Sequence, residues 1–431
     1  MNLEVLLENR SVGVLTRLSG ENIIFVFADD YVNDPNRPTL SQYYLKADGG
    51  LRRDVRPTRT KLPPWFSNLL PEGALLEYIA RKADINSARE FSLLGFLGND
   101  LPGAVRIVPE GSDLADSELP ASAKTEKDEP LRFSLAGVQL KLSAVLNNHG
   151  KLTIPAAGLG GNWIIKLPSA TFPGVPENEA AMLTLAAHAG ITVPEHDLVA
   201  IDSIKGLPDN LGNFVGAQAL AVRRFDRGPE GKRIHMEDLA QVFGIYPHDK
   251  YKEVGSAQIV KLIGQIMGPE AAQDFIARLT FIILTGNGDM HLKNWSLLYP
   301  DGKKPILSPA YDLVSTVPYM PNEQIALNIA HEKSFQGMTM DRFRRLADEA
   351  GLPEKETLTT VERVTDAVRN AWPKIREKPK LPGNIASKID VHMQTLPLLK
   401  ESGKTTKSRA HQSAPRVLKP NRESGMGGLA G

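Results

Sequence analysis

Cysteine is absent from all 431 residues, so no disulfide framework staples the fold and no thiolate serves as nucleophile or metal ligand. The composition fits a reducing compartment. A surplus of either charge is missing too: 51 Lys and Arg stand against 50 Asp and Glu, for a formal net charge of +1. No overall field therefore holds nucleic acid or an anionic membrane, and any DNA contact would need a local patch or a partner. Long apolar runs are also lacking. The most apolar stretch, residues 275–285, contains Arg278 and is about half of the ~20 residues that a membrane-spanning helix needs, so it reads as a buried helix. Residues 1–20 alternate apolar with charged side chains and carry no uninterrupted signal-peptide core, which leads to a cytoplasmic expectation with no membrane partner. No repeat of fixed period suggests a solenoid or propeller. What is present is a chain long enough for two or three domain-sized units, with a hydrophobic fraction of 42%, sufficient for real cores.

Residues 1–110 open with strand-like alternation at Val12-Gly13-Val14-Leu15-Thr16 and Ile23-Ile24-Phe25-Val26-Phe27, then turn helical from Pro64, as an α+β unit. Residues 111–130 hold six acidic and two basic side chains among Ser, Ala and Pro and read as an acidic linker or loop. Residues 131–400 form a second, larger domain. It mixes expected strands (163–167, 219–225, 295–299) with expected helices (177–189, 271–285, 354–368). The tail, 401–431, carries Lys404, Lys407, Arg409, Arg416, Lys419 and Arg422 among Gly, Ser and Pro, and is expected to be disordered.

The strongest local signal is Gly288-Asp289-Met290-His291-Leu292-Lys293-Asn294, a polar loop between an apolar helix and a strand. Asp289 and Asn294 stand five apart, the spacing by which a kinase catalytic loop sets a base carboxylate near the acceptor hydroxyl and an amide oxygen on magnesium. After the strand, a turn at Pro300-Asp301-Gly302 starts a hairpin that returns Asp312 to the loop as a second metal-binding carboxylate. A plainer reading makes Asp289 and Asn294 turn and capping residues and His291 a buried hydrogen-bond partner. A two-metal hydrolase would need further ligands. The other eight histidines, at 149, 188, 196, 235, 248, 331, 392 and 411, show no paired spacing.

The rest of a nucleotide site can be sought upstream. Lys166 is a lone cation in the apolar strand Trp163-Ile164-Ile165-Lys166-Leu167, the setting of a lysine that grips α- and β-phosphates, though an edge-strand lysine looks the same. Glu179 sits at the start of the following helix. It is placed either to hold Lys166 or merely to complement the helix dipole. The small residues Ala136, Gly137, Val138, Gln139 and Leu140, followed by Lys141, suit a loop whose N–H groups approach phosphates. An apolar strand ending in Arg223, Arg224 and Phe225 has the position of a hinge that reads adenine through backbone groups.

Taken in this order, the motifs resemble the HipA kinases, the toxin half of bacterial toxin–antitoxin modules, over about residues 10–400. The resemblance rests on Leu40-Ser41, on the run from Phe66 through Pro71-Glu72-Gly73, on Phe91-Ser92-Leu93-Leu94, and on Gly98-Asn99-Asp100 with Gly103-Ala104-Val105. Farther along it rests on Ser134 to Lys141, Ile165-Lys166-Leu167-Pro168, Asn178-Glu179, Arg224-Phe225-Asp226-Arg227, Asp289 to Asn294, and Tyr311-Asp312.

It implies an α+β, two-lobed protein-kinase-like fold with an additional N-terminal α+β subdomain, the lobes dividing near residue 225. The activity implied is that of a protein serine/threonine kinase using ATP and Mg2+. Asp289 would be the catalytic base, Asn294 and Asp312 the metal ligands, and Lys166 the phosphate grip positioned by Glu179. Ala136, Gly137, Val138, Gln139, Leu140 and Lys141 would cover the nucleotide; Arg223, Arg224, Phe225, His291, Leu292, Lys293 and Tyr311 would line the rest of its pocket. Ser134 matches the serine at which these kinases phosphorylate and silence themselves. The implied partners are a HipB-like helix-turn-helix antitoxin, operator DNA through that antitoxin, and a translation-related substrate such as an aminoacyl-tRNA synthetase. A catalytically idle module that co-represses transcription with its antitoxin is the alternative, and a small-molecule phosphotransferase a third. Loss of a metal-binding carboxylate would favour the idle module, and none is lost.

Overall fold

Alternating apolar side chains at the N-terminus give three antiparallel strands, β1 (Asn2–Leu7), β2 (Arg10–Arg17) and β3 (Asn22–Phe27). In β3 this turns Ile23, Phe25 and Phe27 inward and leaves Asn22 and Val26 exposed. The computed structural model describes residues 1–111, 141–146, 152–154, 161–169, 171–207, 217–252, 254–377 and 381–401; most of the acidic linker and the tail beyond Glu401 lie outside these. After β3 come α1 (Asp29–Asn33), β4 (Thr58–Arg59), α2 (Pro64–Ser67), α3 (Gly73–Lys82), α4 (Glu90–Leu97) and β5 (Val105–Pro109). The sheet order is β4-β3-β2-β1-β5, so the strand ending this unit pairs with the one that begins it. Its inner face covers Trp65 and Phe66 of α2 and Phe91, Leu93 and Leu94 of α4, with Phe25 against Phe66 at 4.8 Å between ring centres. Burial of each such side chain contributes about 1.5–3 kcal/mol.

The second sheet has the order β7-β6-β8-β10-β9, from β6 (Lys141–Leu146), β7 (Leu152–Thr153), β8 (Trp163–Lys166), β9 (His196–Ala200) and β10 (Gln218–Arg223), with α5 (Val175–His188) between β8 and β9 in the chain. One face carries Ala144, Ile165, Ala219 and Ala221 in a small core. On the other, Leu220 and Val222 join α5 in the largest core of the molecule. Lys166 follows Ile165, so the pleat turns its side chain to that second face.

The remaining elements are β11 (His235–Asp238), α6 (Leu239–Phe243), α7 (Ser256–Met267), α8 (Pro269–Thr285), β12 (Ser296–Tyr299), β13 (Ile306–Leu307), α9 (Met340–Ala350), α10 (Glu354–Ile375) and α11 (Gly383–Thr395). The buried centre is α8, every residue of which from Phe275 to Thr285 is enclosed. Arg278 within it pairs with Asp274 at 2.6 Å and donates to the Ser308 carbonyl at 2.8 Å, which accounts for a cation in the most apolar run of the chain. Among the described residues no helix is long and apolar enough to cross a membrane.

Two polar clusters dock the N-terminal unit. The wholly buried carboxylate of Glu237 on β11 accepts from Ser41 Oγ (2.5 Å), the Gln42 N–H (2.9 Å), Trp65 Nε1 (3.2 Å) and Tyr299 Oη (2.5 Å). Asp226 accepts from Arg224, from Arg227 and from the Gly103 N–H at 2.9 Å, while Arg227 Nη2 reaches Asp100 at 3.0 Å. Two α+β lobes and an additional N-terminal α+β subdomain result.

Candidate active site

At the face of the second sheet, Lys166 Nζ donates to Glu179 Oε1 at 2.5 Å and to Asp312 Oδ1. Helical phase brings Glu179, buried in α5, to this contact. Lys141, at the start of β6, meets the same Asp312 carboxylate at 2.8 and 3.0 Å. Burial pushes the Asp312 carboxyl upward, but the ammonium groups of Lys141 and Lys166 outweigh it and hold the group far below the usual carboxylate range. Burial likewise opposes the charge on Lys166, yet Asp312 and Glu179 raise its pKa. Asp312 has a left-handed backbone, φ +54°, at the residue where the chain leaves the hairpin. Of the two acidic residues at the start of α5, Glu177 is only partly buried, so the structure pairs Glu179 with the lysine.

The loop after α8 is shaped by glycine. Gly286 caps the helix at φ +67°, where a Cβ would lie 2.6 Å from Val317. A Cβ on Gly288 would lie 2.4 Å from the Glu323 side chain, so a larger residue here would have to displace that carboxylate. Asn287 then ties the two carboxylate segments together: its Oδ1 accepts from the Asp289 N–H at 3.0 Å and its Nδ2 donates to the Asp312 carbonyl at 3.4 Å. Asn294 Nδ2 donates to the Asp289 carbonyl at 2.9 Å, which closes the loop on itself and leaves the amide oxygen as its free end. Asp289 itself is exposed at the surface of the loop, and its Oδ1 accepts from Tyr251 Oη at 2.6 Å. Although the residue reaches the surface, the groups packed around its carboxyl partly desolvate it and raise its pKa, and the Tyr251 hydrogen bond works in the opposite direction.

The other expected residues divide. Tyr311 donates to the Lys293 carbonyl at 2.9 Å, shares a 2.6 Å hydrogen bond with Ser296, and stands 5.4 Å from the Phe225 ring, so these groups gather beside the loop. Leu292 is fully buried in the large core. His291 is nearly buried, and burial followed by Lys250 depresses its pKa to about 3, leaving a neutral imidazole. Lys293 turns its ammonium group onto Glu72 Oε1 at 2.6 Å and the Asn68 carbonyl at 3.3 Å, both in the N-terminal unit. At the hinge, the N–H groups of Arg223 and Arg224 donate to the carbonyls of Glu195 and Asn162, and the Arg224 side chain is spent on Asp226. Ser134, Ala136, Gly137, Val138, Gln139 and Leu140 lie outside the described residues. The sequence reading assigned no role to Tyr251, Asn287 or Glu72. Asn287 is signalled only by an Asn-Gly pair, and Tyr251 by nothing local.

Comparison with known proteins bears on the family and the fold. A sequence model of the HipA-like C-terminal domain matches residues 133–372, and one of the HipA N-terminal domain matches residues 3–108. The chain is 45% identical to Y4dM of Sinorhizobium fredii, named as a kinase, over 93% of this chain and 98% of that protein. It is 29% identical to the serine/threonine-protein kinase toxin HipA of Shewanella oneidensis, over 73% of this chain and 77% of that one. A solved structure of Shewanella oneidensis HipA with HipB and operator DNA shares the fold at a TM-score of 0.71 and 23% identity, covering 93% of this chain and 97% of that one. With both family domains matched in order, and with a full-length relative named as a kinase, the chain belongs to the HipA family of serine/threonine-protein kinases.

Proposed function

We propose that the chain transfers the γ-phosphate of ATP, with magnesium, to serine or threonine of a translation-related protein, an aminoacyl-tRNA synthetase being the candidate. It thereby arrests growth as the toxin of a HipA–HipB-type module in the cytoplasm. The observation that carries this reading is the Lys166 ammonium shared between Glu179 and Asp312, with Asn287 joining the Asp312 segment to Asp289. Buried ammonium groups held by two carboxylates are suited to a polyphosphate that arrives with its own cation.

The donor set fits magnesium. Asp312 is held ionised, Asn294 presents an amide oxygen, and such sites take one or two protein oxygens plus phosphate oxygens. Magnesium, when bound, neutralises charge on the phosphate oxygens. Lys166 and Lys141 would grip the nucleotide phosphates. Asp289 would accept the proton of the acceptor hydroxyl at Oδ2, because Tyr251 occupies Oδ1 and fixes the carboxylate plane. With the Arg223 and Arg224 N–H groups already bonded, adenine would be read at Phe225, beside the Tyr311 ring. Autophosphorylation at Ser134 would switch the enzyme off, and a HipB-like helix-turn-helix antitoxin would bind the kinase and carry it to operator DNA. The complex of the Shewanella oneidensis relative supports these partners.

Labelled ATP with cell extract tests the reading. Wild-type protein should label protein serine or threonine and stop growth when overexpressed, relieved by a co-encoded antitoxin, and Asp289→Asn should lose at least ~10²-fold in rate. Wild-type activity in Asp289→Asn would refute the role of Asp289, and labelling of metabolites in place of proteins would refute the protein substrate.

A further inference from the structure

The run from Asn68 to Gly73 carried the family resemblance without acquiring any role, and the structure places its end against the catalytic loop. Glu72 is the extended residue that caps α3, followed by Gly73 at φ +56°. Its two oxygens separate two lysines: Oε2 lies 2.7 Å from Lys250 Nζ and Oε1 lies 2.6 Å from Lys293 Nζ. Both lysines border Asp289. Lys250 precedes Tyr251, whose hydroxyl sits on the Asp289 carboxylate, and its carbonyl accepts the Leu292 N–H at 3.3 Å. Lys293 lies within the loop, and its carbonyl accepts from Tyr311. Asn68 fixes the same segment by donating to the Ile245 carbonyl at 2.7 Å while its own carbonyl receives Lys293.

We propose that Glu72 is a positioning residue of the catalytic loop: it holds the Lys250 and Lys293 ammonium groups on the N-terminal subdomain and so fixes the Lys250–Tyr251 segment and the loop against each other. The Lys250 and Lys293 side chains are only 18% and 13% exposed, too enclosed to be neutralised by solvent alone. Without Glu72, both ammonium groups lose the carboxylate they share, and the Lys250–Tyr251 segment loses one of its ties to the loop of Lys293. The Tyr251 hydroxyl then no longer holds the Asp289 side chain in one orientation toward the acceptor hydroxyl. By this reasoning Lys293 anchors the subdomain through its side chain and serves the nucleotide pocket only through its backbone. Phosphoryl transfer then requires the N-terminal subdomain to be docked.

This proposal rests on the reading of Asp289 as base, and the experiment separates the two. With wild type, Glu72→Gln and Glu72→Asp, kcat per folded molecule and the KM for ATP are measured on labelled protein substrate. Glu72→Gln should lower kcat about tenfold or more and leave the KM for ATP within about twofold. Glu72→Asp, which keeps the carboxylate, should retain most of the rate. A merely structural Glu72 would lower the folded fraction of Glu72→Gln with kcat per folded molecule unchanged, and that result overturns the proposal. Hydrogen exchange at the Leu292 amide, which is bonded to the Lys250 carbonyl, gives a readout independent of turnover: Glu72→Gln should speed it several-fold. Should the wild type transfer no phosphate, the kinase reading falls, while unchanged exchange at Leu292 would independently defeat the positioning role.

Discussion

Replacing Tyr251 by Phe removes a single oxygen, the one that donates to Asp289 Oδ1 at 2.6 Å. Burial already raises the Asp289 pKa, and this hydrogen bond to the charged form is the leading influence that lowers it, so its loss must raise the pKa further. A hydrogen bond to an ionised group contributes about 1.5–3 kcal/mol, which at 1.36 kcal/mol per unit is about 1 to 2 pH units. Tyr251 is 43% exposed, so water can take the vacated place and the lower end of that range is expected. The assay is kcat against pH from about 5 to 9 for both proteins, with Asp289 acting as the base whose ionised form is active. The acid limb of the variant should lie at higher pH by about 1 unit, with the KM for ATP unchanged, because the lost hydroxyl touches neither Lys166 nor Asp312. Titration of His291 cannot mimic this limb, since its imidazole is held near 3 and stays neutral across the range. Superimposed acid limbs, or a limb moved to lower pH, would refute the reasoning.

Lys166→Met should abolish nucleotide binding and transfer, and should cost about 3–5 kcal/mol of stability in urea titration, because Glu179 and Asp312 lose the cation between them; wild-type-like turnover would contradict it. Asp226→Ala leaves Arg224 and Arg227, each with side chains 8% exposed, short of their shared partner, and is expected to cost a similar ~3–5 kcal/mol and to open the boundary of the N-terminal subdomain to limited proteolysis, with an unchanged melting temperature as the contrary result. Mass spectrometry of protein purified from cells should find phospho-Ser134 in the wild type and not in Asp289→Asn, and an active preparation with unmodified Ser134 would end the switch mechanism.

Local chemistry was enough to write much of this protein from its sequence. Period-two alternation produced β2 and β3, apolar runs produced β8 and α8 with its glycine cap, and the loop from Gly288 to Asn294 closes through a hydrogen bond five residues long. Interactions that short depend on neighbours in the chain, so spacing alone could indicate Asp289 and Asn294. Lys166 was legible for the same reason, as a cation where the pleat expects an apolar side chain. Tertiary structure decided which groups meet. The packing of α5 on the sheet selects Glu179 over Glu177, and closure of the lobes brings Asp312 to Lys166 across 146 residues. The Arg224 side chain turns away from the hinge to Asp226 and Asp100, whose buried charge it balances together with Arg227. Tyr251, 38 residues before Asp289, and the Asn68–Glu72 segment, joined to Lys293 across 225 residues, bear no periodic or spacing signal. Their roles arise only when separate units bury their apolar faces, because the direction of a polar side chain at such a boundary is fixed by the surface that arrives opposite it.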